Sequence, residues 1–185
     1  MLAVHRFWAG PKFEGYDWIE ATVRSTLGAD VITTLDVLAH GTIDYEQVRA
    51  EDIVRHDSNI FRLMTLYRFG GLWLDCDVVP LSKTLMVGGP YTAALDDGRR
   101  EGAVMWFPEP EHPWLDAAID GIMAQPQSDT ARSVDVSGAH YLDSLPDLGV
   151  ARRHNVFSHD SAGRPLTTMP EAVHLWHTSS KRHEP

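Results

Sequence analysis

The sequence predicts an α/β layered fold with a mostly parallel central sheet. Three observations carry that reading. Strand-like and helix-like segments alternate along the chain. The run at 72–79 is apolar enough for a strand covered on both faces and reads as central. The 185 residues, 43% of them apolar, suffice for one core, so residues 1–185 are expected to form a single domain with a mobile polar tail from about residue 180.

Each element has its own local signal. Residues 3–8 read as a short strand closed by Gly10 and Pro11, and 16–27 as a helix, because Ile19, Val23 and Leu27 recur at helical spacing before Gly28. A second strand is expected at 31–38 and a short charged helix at 44–54. Ser58 reads as the cap of a further helix whose stripe is Ile60, Leu63, Met64 and Tyr67, ended by Gly70 and Gly71. Beyond 72–79, strands are expected at 91–95 and 103–107 around the turn-rich Asp96-Asp97-Gly98-Arg99-Arg100. His112-Pro113 then opens a helix to about residue 124, with proline at its favoured first position. The polar 125–130 reads as a loop, Ser137 as the cap of a helix through residue 145, and 156–157 and 172–176 as short strands.

Composition narrows the function classes. Sixteen basic against 26 acidic residues give a net charge of −10, which argues against a surface that grips nucleic acid through many phosphates. An anionic ligand would need local help from a bound cation or from residues such as Arg62 and Arg68. No apolar run approaches the roughly 20 residues of a membrane span, and the start lacks the features of a signal peptide, so a cytoplasmic, non-membrane-spanning protein is expected. The single cysteine, Cys76, excludes an intramolecular disulfide.

The chemistry concentrates at Asp75-Cys76-Asp77. In an extended segment residues two apart share a side, so the two carboxylates are expected to converge while Cys76 points inward. Hard oxygens suit Mn2+ or Mg2+, which can bridge the phosphates of a nucleotide donor. An isolated Asp-x-Asp is weak, since short acidic motifs recur by chance. Its surroundings add specificity. The segment Ser58-Asn59-Ile60-Phe61-Arg62 through Tyr67, with Phe69-Gly70-Gly71-Leu72-Trp73-Leu74-Asp75-Cys76-Asp77-Val78-Val79-Pro80-Leu81, resembles the DXD sugar-binding region of a glycosyltransferase family. That family includes bacterial capsular polysaccharide transferases, yeast outer-chain mannosyltransferases and, more distantly, the clostridial glucosylating toxins. Four further segments are similar in order: 4–10, 110–115, 137–139 and 172–179.

The resemblance implies a single GT-A-like (Rossmann-like) domain, a nucleotide-diphosphate sugar donor, a Mn2+ or Mg2+ ion, and transfer with retention. It assigns Asp77 to the metal, Asp75 to the ribose or the metal shell, and His174 and Ser179 to closure over metal and diphosphate. Trp8 matches the aromatic that stacks on the base, Arg62 the arginine that reaches the donor sugar, and Gly71 a backbone position passing close to the site. Asn59 stands where the family has Asp, and Ser180 where it has Trp, which bears on which sugar is bound. The acceptor, a glycan, a lipid-linked sugar or a protein hydroxyl, is not specified, nor is the oligomeric state. Two rival classes share the same residues: a metal-dependent phosphohydrolase built on Asp75 and Asp77, and a non-catalytic nucleotide-sugar or carbohydrate binder.

Overall fold

The first helix forms where the apolar spacing demands it. α1 (Tyr16–Leu27) buries Ile19, Val23 and Leu27. Gly28 stops it in a left-handed conformation, φ 62°, with its amide bonded to the Arg24 carbonyl at 3.0 Å. The computed structural model describes residues 3–7, 14–28, 30–32, 51–95, 97–124, 139–154, 156–157, 167 and 170–175. Before α1 lies β1 (Ala3–His5), and after it β2 (Asp30–Ile32), α2 (Glu51–Phe69), β3 (Gly71–Leu74) and β4 (Val78–Pro80). A 3-10 turn at Lys83–Met86 leads to the hairpin of β5 (Tyr91–Ala94) and β6 (Arg100–Phe107). Then come α3 (Pro113–Met123), α4 (Ala139–Ser144), β7 (Ala151–Arg153) and β8 (Ala172–His174).

Among the described residues a six-stranded sheet runs in the order β2-β1-β3-β6-β5-β7. β1 is parallel to β2 and β3, β6 is antiparallel to β3 and β5, and β7 is parallel to β5. Five strands therefore share one direction and only β6 is reversed, so the mostly parallel sheet expected from the sequence is present. β4 and β8 pair separately as a two-stranded antiparallel sheet.

Strand alternation splits the core into two layers. Leu72 and Leu74 on β3 pack with Val4, Ile19, Val23, Val78 and Phe157, on the side of α1 and the β4–β8 ribbon. Trp73, between them, packs with Phe61, Leu66, Phe107, Trp114 and Leu115, on the side of α2 and α3. The α2-to-β3 junction has no room for side chains. Gly70 closes the helix at φ 62°, and a Cβ on Gly71, at φ 96°, would lie 2.5 Å from the Ala3 carbonyl of β1. As read from the sequence, α3 opens with Pro113 at its start, and His112 Nδ1 accepts from the Trp114 amide at 3.2 Å.

Several expectations are corrected. The helix expected to begin at Ser58 is one continuous helix from Glu51, so Ser58 lies inside it and does not cap it. The part of the 44–54 helix before Glu51 lies outside the described residues, as do 33–38 of the expected second strand, residue 8 of the first, 125–130 and Ser137. The strand expected at 72–79 breaks at the acidic triplet: 71–74 joins the main sheet, 78–80 joins the ribbon, and 76–77 is a turn. Residues 156–157 contribute only a parallel bridge from Phe157 to Ala172. β7, with two exposed positions and two arginines, carries no apolar alternation and was not expected. No helix among the described residues is long and apolar enough to cross a membrane.

Candidate functional site

The acidic turn follows the carboxyl end of β3, the edge at which open α/β sheets bind ligands. Its shape is set through main-chain groups. The Val78 amide bonds the Asp75 carbonyl at 3.0 Å, the Asp75 amide bonds the Ala103 carbonyl of β6 at 2.9 Å, and the Leu175 amide bonds the Asp77 carbonyl at 2.9 Å. Because β6 is the reversed strand, its first residues lie beside the carboxyl end of β3, which is how 101–103 reach the turn.

A buried cation holds the turn from beneath. Arg6, 2% exposed, donates from Nη2 to the Cys76 carbonyl at 2.6 Å and the Asp75 carbonyl at 3.4 Å, and from Nη1 to Glu20 Oε1 on α1 at 2.6 Å. Cys76 points inward as expected, its thiol donating to the Phe7 carbonyl at 2.7 Å. Burial pushes that thiol up to about 12, despite the opposing pull of Arg6, so it is not a nucleophile at neutral pH.

The two carboxylates have different partners. Asp75 Oδ1 accepts from Arg62 Nη2 at 2.8 Å and from the Trp73 indole at 2.6 Å. The Arg62 guanidinium is almost fully buried and lies 5.4 Å from the centre of the Trp73 ring. Asp75 keeps part of its side chain in solvent. Asp77, nearly buried, places Oδ1 3.2 Å from His174 Nε2 on β8. Burial opposes charge on His174, but the hydrogen bond and charge of Asp77 outweigh it, with Glu101 and Asp75 adding to the upward shift. The expected geometry, two carboxylates on one side of an extended strand, is replaced by a turn whose acids face a guanidinium and an imidazole respectively.

The other candidate residues fall as follows. Asn59 is buried on α2, one turn before Arg62 and on the same helix face. Gly71 lies at the end of β3 away from the acidic turn, and its missing side chain makes room for β1. Trp8 and Ser179 lie outside the described residues, as do Ser180, Trp176 and His177. Sequence reasoning missed Arg6, Glu20, Trp73, Glu101 and Gly102. Arg6 and Glu20 are a buried cation and an acid far apart in the chain, and no spacing rule joins them.

Among the described residues no group of three His, Cys, Asp or Glu is placed to hold a metal ion. Asp77 and His174 nevertheless offer a hard oxygen and an imidazole nitrogen 3.2 Å apart. The carboxylate fits Mn2+ or Mg2+, ions that complete their shells with phosphate oxygens and water, whereas the imidazole nitrogen suits Mn2+ better than Mg2+.

Residues 20–94 match the family model described as the glycosyltransferase sugar-binding region containing DXD motif, and the matched segment runs from within α1 through α2 and the acidic turn. The resemblance read from the sequence holds over that segment. No curated protein matches the chain. Among solved structures, the "PaToxG Glycosyltransferase" is similar over 76% of this chain at a TM-score of 0.58 and 15% identity. The chain spans 66% of that structure's length, and the likeness is one of fold. A transferase mutant aligns over 94% of this chain and 77% of its own, at 10% identity and a TM-score of 0.40, too low to carry an argument.

Proposed function

We propose that the protein transfers a sugar from a nucleotide-diphosphate donor, a UDP- or GDP-sugar, to an acceptor hydroxyl, with Mn2+ or Mg2+ and with retention of configuration. The observation that carries the reading is the division of the acidic turn: Asp75 bonds Arg62 and Trp73, and Asp77 bonds His174, at the carboxyl end of the central strand. The glycosyltransferase family match over that segment supports it, and five co-directional strands with one reversed neighbour support a GT-A form of the α/β fold. The donor site is taken to lie in one domain spanning the chain.

Asp77 and His174 would hold the metal, with Ser179 closing over the diphosphate and Trp8 stacking on the base. A cation so held would neutralise the charge that develops as the nucleoside diphosphate departs. Arg62 and Asn59 share a helix face and would hold sugar hydroxyls. Asp75, fixed through Oδ1, would offer its second oxygen to the ribose or sugar as an acceptor. Gly71, at the far end of β3, would serve this site only by letting β1 pack against β3, and the chain would add to rate by orienting the acceptor hydroxyl against the donor. A glycan, lipid-linked sugar or protein hydroxyl would serve as acceptor.

A thermal-shift panel of nucleoside diphosphates with and without Mn2+ tests the reading. Stabilisation by UDP or GDP that requires metal and disappears in Asp77→Ala is expected, together with slow release of free sugar from the matching donor. Absence of any metal-dependent nucleotide effect would refute it.

A further inference from the structure

We propose that Gly102, on β6, is a positioning residue: its missing side chain is the slot that seats the Arg62 guanidinium against Asp75, and so sets the sugar-binding half of the site. The inference rests on the donor-binding reading above and adds a residue that no motif singles out.

Glycine inside a strand weakens it and marks a close approach by another group. Gly102 sits within the eight-residue β6 and is buried. A Cβ built on it would lie 1.8 Å from Arg62 Nη1 and 3.0 Å from Cζ, whereas the next neighbour, Leu142 Cδ1, is at an ordinary 3.4 Å. Space is therefore missing only where the guanidinium lies. The obstructing atoms are the far end of a flexible side chain, so a methyl group at 102 can be accommodated by moving the guanidinium. The same guanidinium donates to Asp75 Oδ1 at 2.8 Å and lies over Trp73, whose indole bonds the same oxygen at 2.6 Å. Displacing it separates Arg62 from Asp75 and frees the carboxylate to turn. Asp77, in the turn ahead of β4, and His174 on β8 make a separate pair that does not include Arg62.

Gly102→Ala should therefore lower affinity for the nucleotide-diphosphate sugar by about tenfold or more, the scale of a lost charged hydrogen bond. Binding of the nucleoside diphosphate with Mn2+, which lacks the sugar and keeps at most the ribose contact of Asp75, should fall by less than binding of the sugar donor. The Trp73 indole N–H resonance, assigned with Trp73→Phe, should move in Gly102→Ala without ligand. Arg62→Ala and Arg62→Ala/Gly102→Ala complete the cycle: if Gly102 acts through Arg62, the double variant binds the sugar donor no worse than Arg62→Ala. Additive losses, or an unchanged donor affinity in Gly102→Ala, overturn the proposal while leaving the donor-binding reading intact. Should Gly102→Ala fail to fold, a folded double variant supports the slot, and an unfolded one assigns Gly102 to the sheet and overturns it. A parent protein that binds no nucleotide removes both.

Discussion

At the scale of single residues, the site depends on two charge pairs of different exposure. Arg62 is almost wholly buried, so removing its carboxylate leaves a desolvated cation. Asp75→Ala is expected to destabilise the fold by about 2–3 kcal/mol in urea denaturation, below the roughly 3–5 kcal/mol of a fully buried pair because Asp75 keeps some solvent. Asp75→Asn retains an oxygen acceptor for Trp73 and should cost about half as much or less. Chemistry at this scale was partly legible. Asp75, Asp77 and Arg62 stood out by type and neighbourhood, but their division into two pairs did not, because Arg62 meets Asp75 only once α2 is laid against β3. Trp73 looked like one more apolar residue of a strand, and its indole N–H, bonded to Asp75, is polar information that hydropathy discards.

At the scale of elements, punctuation decided what could be read. α1 begins and ends where its apolar spacing and Gly28 place it. The start of α2 was misplaced because Ser58 has the local chemistry of a cap, yet helical backbone continues on its N-terminal side. The run at 72–79 looked continuous because every position in it suits an extended chain except Asp75 and Asp77. What breaks it is non-local: Arg6 draws in the carbonyls of 75 and 76. β7 was invisible because an exposed alanine followed by two arginines carries no strand pattern, and it is held instead by its parallel register with β5. The glycine pair at the α2–β3 junction supplies a sharp test. Gly71→Ala must place a methyl group 2.5 Å from the Ala3 carbonyl at a φ of 96°. It should destabilise by about 2–4 kcal/mol, measured by chemical denaturation, through strain and displacement of β1.

For the whole molecule, the general α/β class followed from alternation and length; the reversed strand β6 was signalled only by the turn at 96–100, too short for a parallel crossover, and its place beside β3, which brings 101–103 to the ligand edge, had no sequence signal. Global stability should carry the mark of a buried imidazole. His5 bonds the Gly70 carbonyl at 2.8 Å, and burial, outweighing that bond, holds it down at about 4 against an ordinary 6.5. Between those values the unfolded chain binds a proton that the native one does not. Stability should therefore rise with pH across this window, by about 1.4 kcal/mol per pH unit from this group, and level off above it. His174, shifted upward, acts with the opposite sign: its contribution is present at low pH and lost as pH rises through its folded value. Urea titrations of the parent and His5→Gln between pH 4 and 7 isolate the first term as their difference. The acidic turn, finally, is fastened through main-chain groups: its carbonyls accept from Arg6 and from the Val78 and Leu175 amides, and the Asp75 amide donates to the Ala103 carbonyl. Its contour is thus insulated from the identity of the side chains it displays. The frame therefore persists under side-chain change, and exchange at Asp75 is limited instead by the buried Arg62 it would leave uncompensated.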